Sequence, residues 1–580
     1  MKSRKNQNSP IRPFPSLTGA KRLPINRAIL STLVLSGVAL ISGCNNNNDP
    51  AASAMPQTPA VNPQVTLGEN TFRYETFGNQ GFWTKAMQLP QGLVAAGVTP
   101  LNALALGLNV NAAALSPDTA KALLNALAEI KAGADPKTTV LNDPSVTLAL
   151  INEGAVIGVV PFDANGNRKP LGSDANFNAN DTLSISRGDS VGVSCAICHA
   201  RTDNSIVPAG FAKLPGSVGL EVDGPADNGL DFGNIVAAAG NPRAYLPMYQ
   251  LAFQALGGAS AANQAGYAGI KDDTNAEVRT YLTGSNAQGM RYYPVGGFDA
   301  FPDGINNVAE IPPFYRTDLA APWGHSGFDT DLNDFNNIVY VLGLDPTILA
   351  TAPGKQILEG LAGGVGDEIY NRYVKVLDDS GLAGQYPFVK SDATGKGFLG
   401  YQVDQTKLDA LTAYTNQLQS PRAPTNLNAS MVSRGEQVFD QNCTTCHTAS
   451  ASAPVSADVV PFAQLYPAFT PTVLAKRNAP LSDIIISTDT GADPSYYNEL
   501  SVFNASVRAA NVGFAIPLLA GLDGQTKFLH DLSIIGTSTT DALSNLLNPN
   551  RGMSAQHPFY ITDANDRLAV TEYLRSRETH

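Results

Sequence analysis

The stretch Cys443-Thr444-Thr445-Cys446-His447 decides how this chain is read, and it has an earlier counterpart in Cys195-Ala196-Ile197-Cys198-His199. Both read C-x-x-C-H, the spacing needed for covalent attachment of a c-type haem. Two thiols must reach the two vinyl groups of one porphyrin and form thioethers. The histidine that follows then lies under the ring plane and offers its imidazole to iron as the proximal ligand. The chain holds five cysteines, and the two motifs use all of them except Cys44. Two other chemistries use paired cysteines. A thioredoxin-like redox pair needs no following histidine and sits in a βαβ setting that neither motif has. A structural zinc site wants four ligands at short spacings, whereas these motifs lie far apart and each carries its own histidine. Haem attachment is the reading that uses every residue of both motifs.

Length and charge set the frame. A chain of 580 residues has room for two to four domains. Hydrophobic residues make up 43%, enough for substantial cores. Charged residues make up only 15%, with 52 Gly and 39 Pro, which points to a loop-rich protein rather than to long charged helices. The first 43 residues carry seven basic and no acidic side chains, so the rest of the chain holds 31 Lys+Arg against 50 Asp+Glu, a net charge of −19. Such a body repels nucleic acid and anionic membrane surfaces and suits a cationic partner.

The N-terminus reads as a targeting signal. Lys21, Arg22 and Arg27 precede an apolar run from Ala28 to Ile41, too short for a comfortable membrane span. The run ends in Ile41-Ser42-Gly43-Cys44, which resembles the bacterial lipoprotein cleavage box and implies cleavage before Cys44 and lipidation of its thiol. The alternative is an ordinary secretory signal with an incidental cysteine. Asn45 through Asn48 fit a flexible tether, and Asn45 at the second mature position resembles lipoproteins sorted onward to an outer membrane. Export agrees with c-type haem attachment, which in bacteria takes place outside the cytoplasm.

Further along, Ser116-Pro117 opens a helix with Ala120, Leu123, Leu124, Leu127 and Ile130 on one face, stopped by Gly133. The apolar run Val146–Val160 leads toward the first motif. Ser186-Arg187-Gly188 precedes the first motif and Ser433-Arg434-Gly435 precedes the second, a recurrence that suggests two related haem units. Val438 and Phe439 give the second copy a helix with an apolar side. Each unit also has an Ile-Pro followed by a histidine: Ile311-Pro312-Pro313 before His325, and Ile516-Pro517 before His530. A terminal helix is predicted over Asp563–Arg577, and the turn-rich Ser420–Asn426 is the expected boundary between units.

Paired C-x-x-C-H units, paired Ile-Pro…His elements and a closing Glu572-Tyr573-Leu574 helix resemble the dihaem c-type cytochromes. That superfamily includes the bacterial dihaem cytochrome c peroxidases, the MauG-type enzymes and the RoxA-like rubber oxygenases. The resemblance spans residues 70–580 and is sharpest at the haem motifs. Val191-Gly192-Val193-Ser194 and Gly229–Asn234, with the long insertions, look closer to the RoxA-like branch than to a compact peroxidase. The resemblance implies a mainly α fold of two cytochrome c-like haem domains with long loop-rich insertions. The expected layout is a signal peptide over 1–43, a flexible tether over 44–68, a first haem domain with an N-terminal helical extension over 69–420, and a second haem domain over 427–580.

Six histidines make a short inventory of iron ligands. His199 and His447 are proximal, and His580, as the last residue, is expected to be mobile. His325, His530 and His557 remain as distal candidates, with Met290 and Met553 as thioether alternatives. His530 and His557 are preferred at the second iron. No methionine follows His530 at the place where peroxidase relatives carry one. His325 is a candidate ligand or a catalytic acid/base of a distal pocket, set against an ordinary loop histidine. Trp323 is a candidate electron relay between haems, set against a core indole. Asp163–Asn167 and Asp329–Asp334 are oxygen-rich turns that could hold calcium, although plain turn chemistry is favoured. Three functions follow: a cell-envelope electron-transfer protein that serves an external redox protein or small electron carrier; an oxidoreductase of the peroxidase or RoxA-like kind, with one open haem reducing peroxide or activating O2; and a surface lipoprotein in which haem is structural.

Overall fold

Proline, asparagine and alanine around Asn62 announce disorder by composition, yet the first described residues form a helix. The computed structural model describes residues 62–211, 214–248, 274–283, 310–325, 329, 331–362, 364–456, 459–461, 513–529, 532, 534–551, 557 and 559–580. The signal segment, Cys44 and its asparagine run, Met290, His530 and Met553 lie outside the described residues. An opening helix runs Pro63–Tyr74, with the Asn62 side chain accepting from the Gln64 amide at 3.0 Å and Pro63 in the first turn. It replaces the last part of the expected tether over 44–68. Composition failed here because the helix is held from a distance. It packs against the helix Gln405–Thr415, so closely that a Cβ on Gly68 would lie 2.0 Å from the Ala410 carbonyl oxygen.

The fold is mainly α, and its strands are short and arranged in two-stranded pairs. Among the described residues no helix is long and apolar enough to cross a membrane. The helix Pro117–Lys131 starts as its sequence says, with Ser116 as N-cap and Pro117 in the first turn. Its inward stripe differs from the expected one. Leu123, Ala126 and Leu127 are buried, while Leu124 is 56% exposed. A period of 3.6 residues rotates position 124 off the buried face and position 126 onto it.

The two haem motifs enter through unlike structures. Before the first, strands Val159–Phe162 and Ser190–Val193 pair antiparallel, and the motif forms a single helical turn, Ala196–His199. A strand Ala200–Thr202 leaves that turn and pairs antiparallel with Glu221–Asp223. The second motif sits at the end of a helix, Ala429–Asn442, with Cys443 at its C-cap. The two Ser-Arg-Gly triplets are therefore not structurally equivalent. Ser186-Arg187 lie in a 3-10 turn that ends at Gly188, whose φ of +108° is a left-handed conformation open to glycine. Ser433-Arg434-Gly435 lie mid-helix. Gly435 is needed there for closeness, because the helix crosses the closing helix Ala564–Ser576 at that point. Arg434 ties the same crossing through paired 2.8 Å bonds to Asp566.

Two apolar cores result. The larger draws on residues from Phe72 to Tyr414, and the smaller on Val438, Phe439, Leu543, Val570, Tyr573, Leu574 and their neighbours. A small third cluster contains Tyr315, Leu319, Ala451, Val455, Leu518 and Ala520, mixing segments that adjoin the two cores. The C-terminus is not loose, contrary to expectation for His580. Ser420 and Thr579 exchange bonds of 2.9 and 3.0 Å, and His580 Nε2 lies 2.7 Å from the Ser420 carbonyl oxygen. Glu578 accepts from the Ala423 amide at 2.8 Å, so the turn-rich stretch beginning at Ser420 is pinned by the end of the chain.

Candidate haem sites

All four motif cysteines carry free thiols. At the first site Cys195 is buried, and burial pushes its thiol up to about 11, while burial and nearby Asp227 push Cys198 up to about 12. Cys443 is likewise pushed up to about 11, mainly by burial. A dithiol redox pair needs the opposite shift, because the thiolate is the attacking species. Among the described residues no group of three His, Cys, Asp or Glu side chains could hold a metal ion. At the first motif the two raised thiols lie along one helical turn, with the half-buried His199 next to them.

His199 Nδ1 lies 2.8 Å from the Pro312 carbonyl oxygen, and the His199 ring stacks on Phe314 at 3.9 Å and 18°. An Nδ1–H donating to that carbonyl leaves Nε2 as the coordinating nitrogen and fixes the plane of the ring. Burial pushes this imidazole down to about 4, against the pull of the Pro312 carbonyl, so it is neutral and able to coordinate. The Ile311-Pro312-Pro313 stretch thus supplies the acceptor that faces His199 Nδ1. Tyr340 was not visible as a site residue in the sequence, since it stands in an apolar run. Its hydroxyl lies 3.1 Å from Cys195 Sγ, and Phe77 packs edge-on against its ring at 4.5 Å.

The second site is built differently. His447 Nδ1 is buried and has no hydrogen-bond partner among the described residues. Burial, His557 and Arg577, in that order, push its imidazole down to about 4. The His447 and His557 rings lie 6.3 Å apart, centre to centre, with planes 29° apart. Two imidazoles on opposite sides of one metal, each bonded at about 2 Å, hold their ring centres roughly 6 Å apart. His557 Nδ1 is 3.2 Å from the Phe559 carbonyl oxygen. Of the sequence candidates for this iron, His557 is brought beside His447. Arg577 closes the proximal side. It donates to the Thr448, Ala449 and Leu519 carbonyls at 2.8, 2.6 and 2.8 Å and lies 5.0 Å over the Phe439 ring.

The remaining candidates sit elsewhere. His325 Nε2 is 3.8 Å from a Glu310 carboxylate oxygen, and the His325 carbonyl accepts from the Ala515 amide at 2.7 Å. His325 therefore joins the strand Gly513–Ala515 that leads into Ile516-Pro517. Trp323 forms an antiparallel bridge with Asp329. In the first oxygen-rich turn, the Asp163 carboxylate accepts from the Asn165 and Asn167 amides at 2.9 and 2.8 Å. Asp331 is spent as a helix N-cap. Asp163 and Asp331 thus use their carboxylates in turn and cap bonds.

A buried acidic group borders the first site. Asp223 pairs with Ala200 across the strands, accepts from Tyr414 at 2.6 Å and from Arg73 at 2.7 Å, and stands near Glu221, 3.8 Å from the same guanidinium. Burial, with Asp223 adding to it, pushes Glu221 up to about 7. An unfolded glutamate ionises near pH 4.5, so between there and pH 7 the unfolded chain releases a proton that the folded chain retains. Stability from this group is full below pH 4.5 and is lost as pH rises to 7. Glu221→Gln is expected to stabilise the protein above pH 7 by about 2 kcal/mol and to change little at pH 4. Denaturant unfolding at the two pH values measures the difference. No family model, no curated protein and no solved structure matches the chain.

Proposed function

We propose that this protein is a dihaem c-type cytochrome that passes electrons between two covalently held haems and an external redox partner. The observation that carries the reading is the setting of His199: a neutral, half-buried imidazole whose Nδ1 faces the Pro312 carbonyl and whose ring stacks on Phe314, directly after two protonated thiols at haem-attachment spacing. Cys195, Cys198 and His199 would hold one haem, and Cys443, Cys446 and His447 the other. Each haem when bound supplies a one-electron iron couple. The chain's own part is to keep each imidazole neutral and aimed, to bury it from water, and to fix which sixth position is filled. At the second site His557 fills that role. The acidic body, −19 beyond residue 43, favours a cationic redox partner. The cleavage box ending at Cys44 extends the proposal to a bacterial envelope lipoprotein anchored at the membrane, with the haem units periplasmic or at the cell surface.

The test is the intact mass and the reduced spectrum of protein matured in a host able to attach c-type haem. Two porphyrins per chain are expected; a colourless chain with the mass of its peptide overturns the reading. Carbon monoxide separates the electron carrier from the open-site oxidoreductase, because only an iron with a vacant or weakly filled sixth position takes it. At the second haem His557→Ala is expected to create carbon monoxide binding that the parent lacks there. A variant with an unchanged low-spin spectrum would remove His557 as the ligand.

A further inference from the structure

A buried path connects the two proximal histidines. His199 stacks on Phe314 at 3.9 Å. The next residue, Tyr315, is fully buried, and its hydroxyl donates to the Ala520 carbonyl at 2.6 Å. One peptide back, the Leu519 carbonyl accepts from Arg577 Nε at 2.8 Å. The other arm of the same guanidinium donates to the Thr448 carbonyl at 2.8 Å, and Thr448 adjoins His447. Every link between the two imidazoles is thus a covalent bond or a hydrogen bond, apart from one ring-on-ring contact. Electron tunnelling decays far more steeply across a gap than along bonds, and hydrogen bonds in a dry interior are short and fixed. Apolar side chains of the junction cluster exclude water from the Tyr315–Ala520 link.

Resting on the dihaem reading above, we infer that Phe314-Tyr315, the 519–520 backbone and Arg577 carry the electronic coupling between the two haem sites. Tyr315 and Arg577 are bridging residues: neither is placed on iron. Gly521 leaves room for the phenol, since a Cβ there would lie 2.8 Å from the Tyr315 hydroxyl oxygen. The sequence directed attention to Trp323 for this role. Trp323 bridges to Asp329, and no hydrogen bond or ring contact links it to either proximal histidine among the described residues.

The experiment injects one electron per molecule into the oxidised holoprotein by laser flash and follows its redistribution by freeze-quenched EPR of the two ferric haems. Tyr315→Phe keeps the ring and deletes only the hydrogen bond. It is expected to slow redistribution severalfold while both midpoint potentials and the mass of both haems stay as in the parent. Gly521→Ala, which pushes the phenol off Ala520 while keeping Tyr315 and Arg577, is expected to do the same. A merely structural tyrosine would alter stability or potentials and leave the rate at matched potentials unchanged. Unchanged rates in both variants with two haems in place overturn the path and leave the dihaem reading standing. So does a slowing in Trp323→Phe that Tyr315→Phe does not produce. A parent protein that lacks either haem overturns the functional reading and the path together.

Discussion

Replacing Cys195 and Cys198 together with alanine is expected to halve the haem held per chain, leaving one porphyrin at Cys443 and Cys446. On the proposed reading the two thiols would be the covalent anchors at the first site, and His199 alone would give a dissociable bond. The loss should extend beyond colour. Cys195, Ala196, Ile197 and Ala200 are all buried in the larger core. A prosthetic group attached there covers apolar surface, and surface so covered contributes about 25 cal/mol per Å². Its removal is expected to lower the unfolding midpoint of the larger core by several degrees, on top of the small-to-smaller changes at the cysteines themselves. Intact mass and a haem assay on protein from a competent host give the first readout, and thermal unfolding the second. A variant with the same haem-to-chain ratio as the parent would remove covalent attachment at the first motif.

Gly435→Ala is expected to dismantle the second unit. A Cβ at Gly435 would sit 2.0 Å from the Ala569 carbonyl oxygen and 2.8 Å from the Tyr573 Cβ. The nearest atom belongs to the backbone of the closing helix, so relief requires the two helices to separate. That separation opens Phe439 from Tyr573, whose rings lie 5.3 Å apart, and pulls Arg434 from Asp566. The smaller core has few other residues to compensate. A loss above about 4 kcal/mol is expected, in the range reserved for overpacking and broken buried contacts, with failure to retain the second haem. The matching change in the other triplet, Gly188→Ala, should cost only about 1 kcal/mol, because it meets backbone strain and no opposing helix. Its Cβ would find only Ala164, at 3.2 Å. Two tripeptides of identical sequence thus give opposite expectations, and unfolding curves of the two variants separate them. Equal losses would show that the helix crossing does not govern Gly435.

Much of the local chemistry was legible because it is local. Ser116 and Asp563 cap helices through bonds two or three residues away, so their role needs no knowledge of the rest of the fold. The spacing of thiols and imidazole within each C-x-x-C-H is likewise a short-range requirement, and so is the carboxylate of Asp163 folding back on its own turn. Where the reading went astray, distant segments intervened. Composition places residues 63–68, the start of the helix Pro63–Tyr74, in the tether, because the support of that helix comes from residues 405–415. Leu124 was placed inward on a pattern that the real packing face rotates past. His580 looked free until Ser420 met it.

The amino-acid order by itself determined a mainly helical chain with two thiol-thiol-imidazole sites, because bonds along the backbone place those groups within reach of each other. Only the tertiary structure decided what surrounds them: Pro312 behind His199, His557 opposite His447, Tyr340 at Cys195, and Tyr315 and Arg577 between. Such partners are separated by tens to hundreds of residues, and no periodicity of one segment encodes which distant carbonyl or ring will arrive beside it. Their meeting is a property of how the cores pack, which is decided by the sum of many weak contacts rather than by any motif.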